Sequence, residues 1–204
     1  SNAELGFQQL KDSYTNYQWC EPILLLAKSQ DFPLLAFLEY QKKEFTKAND
    51  SLDRAIQTDW VLENQFNFKE IIFHRIHLLH NQTKILIQEK NLALSAQKIV
   101  NLLSQLAEPE LILFEPPLVL GNNSISEEYI SLLFHHLCDT LTIICKESEE
   151  VFLKITSQSD TLEKTENSFA NSLKSIIAFS KDRSIKNQAV DQILKSGNFY
   201  CAGF

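Results

Sequence analysis

Apolar side chains recur at steps of three and four along most of this chain, which is the spacing of one face of an α-helix. The pattern is densest between Asp31 and Trp60, where it predicts two helices folded back on each other. Pro33 follows Asp31 and Phe32, so a carboxylate is placed to cap and a ring presets φ in the first turn. From Pro33 to about Lys43 no breaker intervenes, and Leu34, Leu35, Phe37, Leu38 and Tyr40 make the helix apolar over much of its circumference. In the second helix Phe45, Ala48, Leu52, Ala55 and Ile56 share one face. No Asp, Asn or Ser stands just ahead of it, so Thr46 or the turn at Lys42 and Lys43 is expected to start it.

Before this hairpin, residues 4–19 predict a helix burying Leu5, Leu10, Tyr14 and Tyr17. Pro22 interrupts it, and Ile23, Leu24, Leu25 and Leu26 begin a short apolar helix ending near Lys28. After the hairpin, residues 64–90 predict one long helix with a seam of Phe68, Ile72, Ile76, Leu79, Thr83 and Leu86. A polar stripe runs beside that seam through Glu70, His74, His77, Asn81, Lys84 and Gln88. Ile71, Leu78, Ile85 and Ile87 widen the apolar side, so contact from more than one direction is expected. Leu92, Ala96, Ile99, Leu103 and Leu106 then repeat the core spacing. Phe45 and Leu92 superpose as equivalent positions, a period of about 47 residues.

Pro109, Pro116, Pro117 and Gly121 rule out a long helix across residues 107–126. The runs at 111–114 and 118–120 are nonetheless apolar, so a packed connection is expected rather than an exposed linker. Ser124 and Glu127 form a capping box for a helix over 127–146, with a bend or continuation towards Thr156. Two more helices are predicted, over 161–180 (Leu162, Phe169, Leu173, Ile176, Ile177) and 184–196 (Ile185, Ala189, Val190, Ile193, Leu194), with Gly197 as the left-handed stop.

The stretch from Asp31 to Trp60 resembles a tetratricopeptide repeat. Phe32, Leu35 and Ala36 take the places of the first-helix signature; Ala48 and Leu52, with Ala55 a turn later, take those of the second. Tyr40 falls one place late and Trp60 stands where the pattern ends in Pro. Any antiparallel hairpin of a helical bundle would use the same spacing. The expected fold is all-α: antiparallel hairpins forming a TPR-like α-solenoid over 4–106, the connection 107–126, and a helical segment over 127–204 packed as a bundle on the same domain. Residues 1–3, Ser-Asn-Ala, read as a remnant of tag removal.

With 204 residues, 44% of them hydrophobic, the chain has ample material for a core. Only 4 Gly and 5 Pro leave few turns, which suits long helices with short connections. A net charge of −7, from 19 basic and 26 acidic side chains, would repel a phosphate backbone, so nucleic acid is not the expected partner. No run approaches the roughly eighteen apolar residues of a membrane span. Cys20, Cys138, Cys145 and Cys201 form no CxxC pair and read as free thiols of the cytoplasm or another reducing compartment.

The histidines invite metal chemistry but are badly spaced for it. His80 lies about 240° around the helix from His74, so His74, His77 and His80 cannot converge on one ion from a regular helix. His135, with Cys138 or Asp139, can share a face, yet the adjacent His-Asp of an HD-type hydrolase is missing. No Gly-rich phosphate loop, nucleophile elbow or HExxH is present. No catalytic residue, metal or cofactor is therefore assigned.

The resemblance implies a non-enzymatic protein-interaction module that takes a peptide or helix of another protein in a helical groove. The implied lining is Phe37, Tyr40 and Gln41 from the first hairpin, with His77, His80, Lys84 and Gln88 from the long helix. The family's carboxylate-clamp positions hold Pro33 and Phe37, which fits an internal peptide or a helix better than a terminal carboxylate. An alternative is a regulatory domain, including a secreted bacterial effector, that binds through an outer surface; the Phe/Ile/Asn/Lys-rich composition fits an AT-rich genome. An all-α metal-dependent hydrolase with a site near His135 and His136 ranks third.

Overall fold

In a computed structural model of the chain, the residues described are 4–6, 8, 9, 12, 20–107, 112–120, 127–148, 150 and 151. Most of them are helical, with no strand among them. Five helices carry the fold: α1 (Glu21–Gln41), α2 (Phe45–Phe66), α3 (Ile71–Gln88), α4 (Leu92–Ala107) and α5 (Glu127–Glu147). They belong to two compact units. The first holds the described residues up to Ile85 together with Phe114–Leu118; the second holds those from Leu86 to Leu113 and from Val119 on.

Helix α1 begins well before Pro33. The short apolar helix and the helix expected from Pro33 are one element, which starts at Glu21 with Pro22 in its first turn. A proline there costs nothing, because its missing N–H would have had no intrahelical partner. Pro33 lies inside the helix, and Asp31 is a buried interior residue rather than a cap. Sequence alone favours a start at Pro33, since an interior proline forfeits one backbone hydrogen bond. The element keeps its helical course because its buried residues Ser29, Asp31, Pro33 and Ala36 are held by tertiary packing.

Helix α2 runs on to Phe66, beyond the expected end at Trp60, and Asn67 closes it with φ of 59°. The long helix expected over 64–90 is thereby broken at residues 67–70, and Phe68, assigned to its buried seam, is 38% exposed in that turn. Asn tolerates the left-handed conformation because its short polar side chain bonds locally. At the start of α2 neither Thr46 nor any other side chain caps; the preceding residue, Glu44, makes no side-chain cap bond.

Helices α1 and α2 pack antiparallel along their length. Ser51 Oγ donates to Glu39 Oε2 at 2.7 Å near the turn, and Ser29 Oγ donates to Asp59 Oδ1 near the far end. Helix α3 pairs with α2 in the same opposed sense: Gln82 Nε2 donates to Asp53 Oδ1 at 2.6 Å, and His74 Nδ1 meets Asp59 Oδ2 at 2.8 Å. Helices α1 and α3 consequently run parallel, and Ser29 reaches His74 across 45 positions of sequence. That offset is close to the period of about 47 residues that equates Phe45 with Leu92.

The two turns that this period superposes are also built alike. After α1, Lys43 N–H donates to Tyr40 O at 2.9 Å and Glu44 N–H to Glu39 O at 2.9 Å; after α3, Lys90 N–H donates to Ile87 O at 3.0 Å and Asn91 N–H to Leu86 O at 2.9 Å. Both are Schellman motifs, with Lys43 and Lys90 each at φ of 62° where glycine is the usual occupant. Phe45 and Leu92 each open the next helix. Ala48 and Ser95, Leu52 and Ile99, Ala55 and Leu102, and Ile56 and Leu103 are buried at matching places. The Ala48 and Ala55 methyls are fully enclosed, as close approach of α2 to its neighbours requires.

In the second unit α4 packs against α5. Ile99, Leu102, Leu103 and Leu106 are buried on the first, and Leu133, Leu137, Leu141 and Ile144 on the second, each set following the helical period. Residues 112–120 are non-helical, as the prolines require, and the Glu115–Pro116 peptide is cis. They pack only in part: Pro116, Leu118 and Leu120 are buried while Ile112, Leu113 and Val119 are exposed. The helices expected over 161–180 and 184–196, the caps at Ser124 and Gly197, and Cys201 lie outside the described residues, as does most of the first helix expected over 4–19.

A left-handed lysine costs conformational energy that glycine does not incur. Lys43→Gly is expected to raise unfolding free energy by up to about 1 kcal/mol. At right-handed Lys42 the same change should lower it by about 0.5–1 kcal/mol. Urea titrations followed by circular dichroism check both signs.

Candidate functional site

The polar side chains of the first unit do not all face water. Asp59 and Arg75 are 0% exposed and His74 5%. They sit where α1, α2 and α3 meet. Asp59 Oδ1 accepts from Ser29 Oγ, and its Oδ2 faces His74 Nδ1 at 2.8 Å; Ser29 Oγ lies 3.3 Å from the same ring nitrogen. An ionised carboxylate only accepts, so the imidazole proton belongs on Nδ1. Burial pushes the Asp59 carboxyl above its ordinary range, against the lowering pull of His74, Ser29 and Arg75.

A serine, a histidine and an aspartate in mutual contact raise the question of nucleophilic catalysis. The geometry answers it. A hydrolytic triad needs the serine at one ring nitrogen and the carboxylate at the other, so that the ring can take the hydroxyl proton. Here both crowd Nδ1, and Ser29 gives its own proton to Asp59 rather than to the ring. Ser29 is, moreover, fully buried. The cluster joins helices; it does not present a nucleophile.

A turn further along α2, Glu63 Oε2 accepts from Arg75 NH1 at 2.6 Å. Arg75 NH2 donates to the carbonyls of Pro116 at 2.9 Å and Pro117 at 2.7 Å, and its guanidinium carbon stands 5.3 Å from the Trp60 ring centre. Desolvation pulls the Arg75 pKa below its ordinary value, and Glu63 opposes that. Five donor positions in a flat fork let one arginine bind a carboxylate and two carbonyls together, which a lysine cannot do. The sequence carried the signal only in part: His74 and Asn81 lie on the polar stripe of the helix, yet both are buried, as are Arg75, Gln82 and Thr83 beside them.

The residues expected to line a groove have different surroundings. Phe37 and Tyr40 are half-buried, and the Tyr40 ring stands 5.7 Å from that of Phe45. Gln41 and Gln88 are exposed, and His77 and Lys84 are half-buried. His80 is 5% exposed and lies beneath the α3 surface rather than on it. Lys84 Nζ reaches Asn81 Oδ1 at 3.3 Å, and desolvation lowers its pKa to about 8. Between Ile71 and Ile85 only Phe73, His77 and Lys84 are not buried, and helical geometry sets these three on one narrow stripe.

In α5, His135 and Asp139 are exposed while His136 and Cys138 are half-buried. Burial drives the Cys138 thiol up to about 12, with Asp139 adding to the rise, and the Cys145 thiol up to about 11; neither is a thiolate at neutral pH. Cys20, Cys138 and Cys145 are free thiols. Among the described residues no group of three or more His, Cys, Asp and Glu side chains is placed to hold a metal ion, and no helix is long and apolar enough to cross a membrane. No family model, curated protein or solved structure matches the chain.

The Asp59 junction yields a pH signature. With its folded pKa raised above the ordinary value, the folded chain holds this proton more tightly than the unfolded one. Stability linked to Asp59 is therefore fully present below the ordinary carboxylate pKa and is lost as pH rises through the folded value. Asp59→Asn has no such proton, so its stability relative to the native chain should improve with rising pH across that window. Asp59→Ala, which strands Ser29 and His74, should cost about 3 kcal/mol or more. Chemical denaturation at a series of pH values distinguishes the two.

Proposed function

We propose that the chain is a helical-repeat interaction module and that α3 supplies its recognition stripe. The observation that carries the reading is the burial profile of α3. A helix closed on nearly all sides, with only Phe73, His77 and Lys84 showing, has the profile of an inner helix in a stacked array. The parallel, near-period register of α1 and α3 and the matched Schellman turns support the same reading, since stacked repeats set equivalent helices side by side.

On this reading the ligand is a segment of another protein. An aromatic ring, an imidazole and an ammonium along some three turns suit an extended or helical peptide carrying an apolar and an acidic side chain. Phe37, Tyr40 and Gln41 on α1 extend the surface, and Lys84 supplies a charge whose pKa desolvation lowers to about 8. Gln88 lies at the end of α3, and His80 supports the stripe from below.

Affinity capture with quantitative mass spectrometry tests the proposal. Phe37→Ala with Tyr40→Ala, and separately His77→Ala with Lys84→Ala, should each reduce recovery of a shared partner by about tenfold or more. The melting transition should stay close to native. Changes at the exposed α2 residues Asp50, Arg54 and Gln57 should leave recovery intact. Equal recovery by all variants would contradict the reading, and a collapse of the melting transition would place those rings in the core instead.

A further inference from the structure

The segment Phe114–Leu118 sits in the first unit as a ligand sits in a site. Its inward residues alternate with outward ones: Pro116 and Leu118 are buried, Phe114 and Pro117 half-buried, and Glu115 exposed. The chain bends through residues 114–116, which turns these side chains inward and outward in succession. Its backbone is recognised through two consecutive carbonyls, those of Pro116 and Pro117, both accepting from Arg75 NH2 at 2.9 and 2.7 Å. Glu63 holds the guanidinium through NH1 at 2.6 Å, and the Trp60 ring backs it at 5.3 Å.

We infer that Trp60, Glu63 and Arg75 form a docking site for a proline-containing segment, and that the chain fills this site with its own Glu-Pro-Pro-Leu. The recognition chemistry points to that occupant in three ways. A proline carbonyl is a good acceptor, and the residue has no N–H to be stranded when the segment is buried. Consecutive proline rings restrict φ before docking, so a short segment loses little backbone freedom when it binds. The guanidinium is already fixed by Glu63 and Trp60, so its second nitrogen is pre-aimed at incoming carbonyls. No other feature of the segment needs to belong to the same chain.

A tethered occupant has a high effective concentration, so an outside segment of the same chemistry gains the site only where the strap is lifted. This surface is separate from the α3 stripe, and the inference does not rest on the reading of that stripe.

The test uses the full chain with its strap emptied by Pro116→Ser, Pro117→Ser and Leu118→Ser. The probe is a fluorescein-labelled synthetic peptide of residues 112–120, ILFEPPLVL, and its control has both prolines replaced by glycine. Fluorescence anisotropy should show the native-sequence peptide binding the emptied chain, at least about tenfold more weakly to the unaltered chain, and at least about tenfold more weakly as the glycine control. If the emptied chain is itself unfolded, recovery of its helical circular dichroism on adding the peptide supports the inference. No binding and no recovery overturns it. Equal binding of both peptides overturns it too, since the site would then have no preference for proline.

Discussion

Asp59 brings a carboxylate to a place water does not reach, and three helices must meet there to satisfy it. Ser29 comes from α1, His74 from α3, and the acid itself from α2. An unpartnered buried carboxylate is costly enough that the arrangement of the three helices is fixed by it as much as by apolar packing. Apolar contacts tolerate sliding; a hydrogen-bonded acid does not. A one-residue slip of α3 on α2 would turn His74 away by about 100° and leave Asp59 stranded.

The same junction extends into a chain of buried polar contacts. Glu63 pairs with the Arg75 guanidinium, and Asp59 is held by the imidazole of His74. Arg75 then carries the network out to the backbone of the proline strap. Small residues make this geometry possible. With Ala36, Ala48 and Ala55 fully enclosed, the helices approach closely enough for short polar side chains to bridge them.

Much of the helical layout was legible from spacing. The face of α2, the start of α4 at Leu92 and the non-helical proline segment follow from periodicity and breakers alone. The errors have local causes. Pro33 reads as a helix start because proline is better tolerated there than inside, and only the tertiary burial of Ser29, Asp31 and Ala36 overrides that preference. Asn67 gave little warning as a stop, since it lies among residues of adequate helix propensity. The stripe of α3 shows that polarity along a helix does not report exposure. His74, Asn81, Gln82 and Thr83 are polar and buried, and the partners that permit this, such as Asp59 for His74 and Asp53 for Gln82, come from another helix. A pattern read along one helix cannot report hydrogen bonds made across to the next. Pairing of Ser29, Asp59 and His74 needs coordinates, because their spacing in sequence carries no motif.

Held by one buried polar junction, α1, α2 and α3 should open as a single cooperative element. Native-state hydrogen exchange measures this directly, through the opening free energies of amides around Ser29, Asp59 and His74. The expected result is one common value for all three regions, falling together when Asp59 is replaced by Asn. Opening of α1 at a distinctly lower free energy, with α2 and α3 still protected and unmoved by that substitution, would contradict it.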